Sequence, residues 1–549
     1  MDEWLKLSWE GMDWVVRKGY EKYIPHNIWG KANEPERFPE CKLLKSNILR
    51  TSIIIPLSEN RKESIFLKRH HRRHWKDDLK SLFIPSRAFT EWKILLHFNH
   101  LHLPAPSPLA YGEKRKHGIL KESALITEAI PDVQSLNFYL SNQIDFLREN
   151  FINKEMVLSQ LAKFIAQFHH QGIYFRDLHG GNILCQKDSG GKLKLLFVDV
   201  DKVRFTSRMT SRKRIRDLAM LFNSFPPGMK RDKVQFLKTY LKEAADFHFH
   251  WQEFFKKIDR VTKVLKERHL KSRNKRCLKK TTSFEVKKKG KQKHYLRKEV
   301  SDYFIEQVLN GVKKAKQKET KDKENEKTGL FRIKISQTDR YGDVCVRYYR
   351  YNMMQSFKSL VSFSPGKKAW FNSNGLIVRG VLTPLPLALV EEKGVIGVKE
   401  SILVIEDLSF FDRLDDFISE RFAIPEQKNY FVRKIEFMNI LSKNLRQLYK
   451  KKICFKNLTA EEILVEEIGK KSYQFYFRNV DRIIFNRRVS ADEQIENLIQ
   501  LHKSIPEAVG WKDRFRFLFR FSRFWPREKR KSLIRKVLVR VGDSPMVSN

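Results

Sequence analysis

The segment GIYFRDLHGGNIL, residues 172–184, sets one aspartate, Asp177, five positions ahead of an asparagine, Asn182. A second apolar run, KLKLLFVDVDK at 192–202, carries another aspartate, Asp199, where a strand would end. This set suits phosphoryl transfer. One carboxylate orients an acceptor hydroxyl and takes its proton, while an amide and a second carboxylate hold magnesium against the nucleotide phosphates. Asp177 is then the catalytic base, and Asn182 and Asp199 are the metal ligands. Gly180 and Gly181 are expected to permit the tight loop between Asp177 and Asn182. Upstream, Lys68 in SIFLKRH lies in a strand-like run, and Glu91 lies on the helix predicted to follow. A strand lysine tied by a helix glutamate, reaching the α/β phosphates of ATP, completes such a site. Taken singly, Lys68 reads as a solvent-facing strand lysine and Glu91 as an exposed helix acid. Their order and spacing ahead of the loop favour the paired reading.

These residues need a scaffold, and the surrounding pattern supplies one. RTSIIIPL and ESIFLKRH flank the polar SENRKE and read as a hairpin. Phe89, Trp92, Leu95, Leu96 and Phe98 give helical apolar spacing near 86–99, and Pro104, Pro106 and Pro108 end the helix. The apolar ALITEAI reads as a strand running into a linker, and the chain beyond it is mainly helical. A small β-rich N-lobe followed by a helical C-lobe is an α+β arrangement.

The arrangement occurs twice. LSQLAKFIAQFHHQGIYFRDL at 158–178 aligns without a gap to MNILSKNLRQLYKKKICFKNL at 438–458, pairing Leu161 with Leu441, Gln167 with Gln447 and Phe175 with Phe455. Upstream, Pro106 meets Pro384 and Pro108 meets Pro386; downstream, RIRDLAMLFNSFP at 214–226 matches QIENLIQLHKSIP at 494–506. Similarity held in register over such a distance marks a tandem duplication. The expected domains are an N-terminal extension at 1–40, an active kinase-like domain at 41–260 and a second at 265–545. KSRNKRCLKK at 271–280 reads as too polar to bury much surface, and 313–327 as a basic linker or loop. In the second copy Arg347 stands opposite Lys68, Ala369 opposite Glu91, Asn457 opposite Asp177, Glu462 opposite Asn182 and Asn479 opposite Asp199. Asparagine cannot act as a carboxylate base, and losing the charge of Asp199 weakens a magnesium site. The second copy therefore reads as a pseudokinase that docks substrate, touches membrane or supports the first copy.

FLKRHH, PSRAFTEWKILLHFNHLHLPAPSPLA, RDLHGGNIL, FVDVDKVRF and RIRDLAMLF together resemble the lipopolysaccharide core kinase family of the Kdo kinase and WaaP heptose kinase type. The resemblance covers most of residues 50–245. It implies a compact protein-kinase-like fold and a phosphotransferase that uses ATP and Mg2+. It also implies an acceptor among the sugars of the lipid-anchored inner core, at the cytoplasmic face of the inner membrane. Two departures separate the chain from ordinary protein kinases. KLLKSNILRTSIII ahead of Lys68 contains no glycine, so the phosphate clamp is unassigned. Phe175 replaces the histidine that usually precedes the Arg-Asp pair, and Asp201 stands where a glycine usually follows the metal-binding acid.

Charge narrows the partners. The 549 residues hold 109 Lys+Arg against 64 Asp+Glu, a formal +45, which calls for an anionic partner. With the resemblance, that partner is an anionic lipid-linked saccharide and a peripheral membrane surface, and nucleic acid is not expected. VRFTSRMTSRKRIR at 203–216 follows Asp199, and its arginines suit an anionic acceptor or a solvated loop equally. WKDRFRFLFRFSRFWPREKRK at 511–531 reads first as a core helix and second as an interfacial segment. No apolar run approaches the ~18 residues that span a bilayer. Cys41, Cys185, Cys277, Cys345 and Cys454 form no CxxC pair, which fits a reducing cytosol. His169, His170 and His179 show no metal-site pairing. Two other readings stay open: a kinase for a soluble small molecule or protein, and an inactive basic scaffold binding membrane or nucleic acid.

Overall fold

Alternation of apolar and polar residues, as in MDWVVR, puts every second side chain of a strand on one face. Met12, Trp14 and Val16 accordingly enter a core with Ile53, Ile55, Ile65 and Leu67. SIFLKRHH departs from simple alternation, because Leu67 and Lys68, on opposite faces, are both buried. A lysine buried on a strand needs a partner, and this one supports the site described below.

The computed structural model describes residues 3–9, 11–21, 38–47, 50–57, 63–71, 81–141, 154–187, 193–226, 228–244, 246–319, 328–333, 343–422, 430–469, 472–478, 480–507 and 509–541. It divides into two compact units, Met1–Lys266 and Glu267–Asn549.

Among the described residues the first unit opens with a seven-stranded antiparallel sheet. Its strands are β1 (Trp4–Trp9), β2 (Met12–Arg17), β3 (Lys42–Asn47), β4 (Arg50–Pro56), β5 (Ser64–His71), β6 (Pro108–Lys116) and β7 (Ile119–Glu128), in the order β1-β2-β6-β7-β5-β4-β3. β4 and β5 pair as the expected hairpin, with Ser52 opposite Lys68. Residues 4–17 of the N-terminal extension thus belong to the sheet, through pairing of β2 with β6. Helix α1 (Arg87–His100) interrupts the strands; Ser86 caps it by accepting from the Phe89 N–H, and its buried face includes Glu91, Ile94, Leu95 and Phe98.

The remainder is helical around short strands: β8 (Val133–Ser135), α2 (Leu136–Ser141), α3 (Lys154–His170), β9 (Ile173–Tyr174), β10 (Ile183–Lys187), β11 (Leu193–Phe197), β12 (Arg204–Phe205), α4 (Ser211–Phe222), α5 (Lys230–Glu243) and α6 (Trp251–Asn274). β10 and β11 pair antiparallel and hold the two ends of the candidate site on adjacent strands. Phe164, Phe168 and Phe197 pack beneath them, with the Phe175 ring tilted against Phe197 at 4.1 Å between centroids.

The second unit repeats the plan. Among the described residues its large sheet has six antiparallel strands, led by the hairpin Phe284–Lys289 and Gln292–Arg297, which pairs onto Pro386–Lys393 as β1–β2 pairs onto β6. The duplication therefore includes the N-terminal hairpin, whose side chains have diverged too far to align by sequence. Helix Pro365–Val378 matches α1 in its 14 residues and in its serine cap, Ser364. The stretch 271–280 is mostly exposed, in keeping with its polarity, yet it has regular structure. It continues α6 into a 3₁₀ turn, buries Asn274 and Cys277, and accepts the Trp370 indole N–H at the Cys277 carbonyl. Residues 313–319 of the basic stretch are helical, within Asp302–Glu319; residues 320–327 lie outside the described residues. In the C-terminal aromatic-basic segment, helix Trp511–Ser522 buries Phe517, Leu518 and Phe521 and exposes Trp511, Phe515 and Phe519.

Candidate active site

Lys68 projects from β5 and donates to Glu91 Oε2 at 2.6 Å and to Asp199 Oδ1 at 2.5 Å. α1 delivers Glu91 from its buried face, so strand, helix and the end of β11 meet at one ammonium. Burial alone would lower the Lys68 pKa, but the two carboxylates outweigh it and raise the value. Burial raises the Glu91 carboxyl against the pull of Lys68. Asp199 responds in the opposite sense. Its burial is overridden by Lys68 and by Arg50, whose Nη1 lies 3.0 Å from Oδ2 and 3.2 Å from Oδ1, and its carboxyl is held well below the usual carboxylate range. Asp199 sits at φ +61°, a left-handed backbone uncommon outside glycine, where the chain turns sharply out of β11.

Asp177 and Asn182 form a second group. The Asn182 side-chain amide donates to the Asp177 carbonyl at 3.3 Å, which leaves its Oδ1 for another partner. The Asn182 carbonyl accepts from the Val198 N–H at 3.0 Å, linking this loop to the residue beside Asp199. The Asp177 carboxylate is ion-paired with Lys202. The glycines serve close approach rather than unusual backbone: neither Gly180 nor Gly181 has a positive φ, and a Cβ on Gly180 would fall 2.3 Å from Asn137 Oδ1. The Gly180 N–H donates to Ser224 Oγ, and the His179 ring accepts from the Gly181 N–H.

Three contributors escape a reading of the motifs. Arg50 and Lys202 are single cations in a chain full of them, and only the fold brings them to Asp199 and Asp177. Asp217 had a weak signal, an acid on the apolar stripe of the α4 segment RIRDLAMLF. It is fully buried, and its carboxylate accepts from the N–H of Phe175 at 2.8 Å and of Arg176 at 3.0 Å, fixing the backbone just ahead of Asp177. Arg176 is held there at φ +64°. Behind it, His169 shares a hydrogen bond with the Tyr240 hydroxyl, which also accepts from Arg214, and Arg214 pairs with Asp246. Arg214 is therefore structural, whereas Arg204, Arg208 and Arg212 of the same segment are exposed.

The equivalent place in the second unit is differently built. Arg347 occupies the register of Lys68, paired with Leu403 as Lys68 pairs with Leu125. Ala369 is buried at the Glu91 position and offers no carboxylate. Arg347 instead donates to the Arg478 carbonyl at 3.2 Å and stands 4.0 Å from Asp481, the counterpart of Asp201. Asn457 is exposed, and the Glu462 carbonyl accepts from the Arg478 N–H. Asn479 lies outside the described residues.

The model of the lipopolysaccharide kinase (Kdo/WaaP) family matches the chain twice, over residues 51–240 and 310–519. The lipopolysaccharide core heptose(I) kinase WaaP of Escherichia coli is 27% identical over 187 residues, spanning 32% of this chain and 70% of that protein. The 3-deoxy-D-manno-octulosonic acid kinase of Pasteurella multocida (strain Pm70) is 31% identical over 152 residues, spanning 28% and 58%. Among solved structures, that of WaaP in complex with acyl carrier protein is similar at 19% identity with a TM-score of 0.33, covering 46% of this chain and 98% of that one. The two family matches take in well over half of the chain, which belongs to the lipopolysaccharide kinase (Kdo/WaaP) family of phosphotransferases and carries its fold in tandem.

Proposed function

We propose that the first unit transfers a phosphoryl group from ATP to a sugar hydroxyl of a lipid-linked, lipopolysaccharide core-like acceptor, with Asp177 as the base. The observation that carries this reading is the Lys68–Glu91–Asp199 cluster beside the Asp177 loop. Lys68, oriented by Glu91, meets the nucleotide phosphates as a fixed charge and costs no rearrangement during reaction. Asp199 is held ionised, and Asn182 Oδ1 is left over by the Asp177 carbonyl bond. Both are hard oxygen donors of the kind Mg2+ takes. Magnesium, when bound there, would neutralise charge on the phosphates. Arg50 opens β4 at the β3–β4 connection, where protein kinases carry glycines. In this chain its guanidinium takes the clamp role that backbone amides of a glycine-rich loop play elsewhere. Asp177 accepts the hydroxyl proton, and Lys202 against it keeps a positive charge near the group in transit. Arg176, Arg204, Arg208 and Arg212, all exposed around the loop and the segment after Asp199, favour an anionic acceptor.

The second unit is read as a pseudokinase that supports the first, and the protein as peripheral at the cytoplasmic face of the inner membrane. Among the described residues no helix is long and apolar enough to cross a bilayer. The test is incubation of the full chain with labelled ATP and lipid-linked core oligosaccharide, beside the Asp177→Ala protein. Label in the saccharide from the first and not the second supports the reading. Equal label in both overturns it.

A further inference from the structure

Between Arg350 and Lys368 the chain reads RYNMMQSFKSLVSFSPGKK, with four cations and no acid. Its apolar residues from Met353 to Phe363 do not turn inward. Met353 is 77% exposed, Phe357 63% and Val361 89%, with Met354 and Leu360 exposed beside them. Single exposed apolar side chains are ordinary, but a run of five large ones on one segment is not. The segment is held in place. Helix Met353–Lys358 has a reciprocal cap between Asn352 and Gln355, and the Val398 N–H donates to Ser359 Oγ at 2.8 Å.

That last bond brings in a second segment, the turn Gly394–Gly397, whose Val395 is fully exposed. Gly397 has φ +71°, and a Cβ there would fall 2.0 Å from the Ser356 carbonyl, so the turn packs directly on the helix. The two segments form one apolar surface. Arg350, Lys358, Lys368, Lys393 and Lys399 are exposed on the same segments or at their ends. The neighbouring acids are engaged elsewhere. Glu391 is buried and accepts from Ser364, Glu392 accepts from Gln292, and Glu400 takes the Tyr348 hydroxyl and Lys316. The corresponding place in the first unit, just ahead of the Ser86 cap, also exposes Leu82, Phe83 and Ile84.

Apolar side chains that seat at the acyl boundary, with cations beside them and no free acid, match the chemistry of an anionic bilayer surface. We infer that this face of the second unit is a membrane-docking surface that inserts Phe357, Leu360, Val361 and Val395 among anionic lipid headgroups. The inference extends the reading of a lipid-linked acceptor, but its test needs neither acceptor nor nucleotide, so either can fail alone.

The full chain is sedimented with vesicles of phosphatidylethanolamine and phosphatidylglycerol, and with vesicles of phosphatidylcholine alone. Binding is expected to the anionic vesicles, with affinity lower by about tenfold or more for both Phe357→Ser/Val361→Ser and Lys358→Glu/Lys368→Glu. The loss in the charge variant should disappear at high salt, and that in the apolar variant should persist. Amide exchange over 353–361 should slow on anionic vesicles in the unmodified chain, which tests the face without any substitution. Unchanged vesicle affinity in correctly folded variants, or no slowing of exchange, would overturn the inference. So would a self-associated chain that both variants convert to monomer while vesicle binding persists, since the face would then belong to a second copy.

Discussion

Two aspartates, Asp199 and Asp481, sit beside the same strand position of two copies of one fold and answer it in opposite ways. Asp199 faces Lys68 and Arg50 and is held ionised. Asp481 faces Arg347 across 4.0 Å and takes the Tyr349 hydroxyl at 3.3 Å, yet burial still raises its carboxyl above the ordinary value. The difference begins at the helix. Glu91 fixes the Lys68 ammonium from behind, whereas Ala369 offers Arg347 no carboxylate, and the guanidinium settles on a backbone carbonyl near Asp481. An active site of this type is thus a property of the whole charge cluster. Once the helix acid is gone, a cation on the strand serves packing.

The loop beneath shows the same divergence. Asp217 holds the N–H groups of Phe175 and Arg176, while the second unit has buried Asn497 at that place on its own helix. A neutral amide cannot replace a carboxylate that accepts two charge-assisted bonds. Ala460 retains the tie of Gly180, since its N–H also donates to a serine, Ser504. One backbone tie of the loop is thus kept while the carboxylate beside it is lost.

The sharpest way to break the comparison is at the base. Asp177→Ala should lower turnover by roughly 10²–10⁴-fold with nucleotide affinity largely kept, because the base acts in the transition state. Asn457→Asp should yield no activity in that background, since positioning carries most of phosphoryl transfer and Ala369 remains. Phosphate transfer assays on the two proteins check both. Recovery of activity by Asn457→Asp would mean that the second unit still binds nucleotide productively.

Calorimetric titration of the full chain addresses the metal site. One Mg-ATP per chain is expected; Asp199→Asn should take that binding below detection, and Asp481→Asn should leave it intact. The reverse pattern would move the site to the second unit. A smaller effect is expected at Arg50. Losing its charge-assisted contacts in Arg50→Ala should raise the KM for ATP by about ten- to hundredfold. Arg50→Lys should recover only part, because a single ammonium lacks the fork of a guanidinium. No change in KM on removing Arg50 would show that another group clamps the phosphates.

The smallest effect is one of pH. His502 is fully buried in the second unit, and burial, with Arg514 nearby, brings its pKa down to about 3. A folded value below the unfolded one means that the unfolded chain binds the extra proton. The stability is complete above the unfolded histidine value of about 6.5 and is lost as pH falls from there toward 3, at about 1 kcal/mol per pH unit. His502→Phe should flatten the fall in Tm of the second unit between pH 7 and 5. An unchanged slope would assign the loss to other groups.

Much of this protein was legible from sequence because its informative signals are local. The spacing of Asp177 and Asn182, the apolar run before Asp199 and the helical period around Glu91 each lie within a few residues, and the repeat extends them to the second copy. The hairpin at 4–17 was not legible, since its place depends on pairing with β6, some 90–110 residues further on. Nor was the helical path of KSRNKRCLKK, which a buried cysteine and an indole bond fix although most of the stretch stays exposed. The places of Arg50 and Lys202 were decided by tertiary structure alone, and Asp217 gave only the weak signal of an acid on an apolar helix stripe. A cation or acid is defined by the charge that folding places within 3 Å of it, and sequence separation carries no information about that distance.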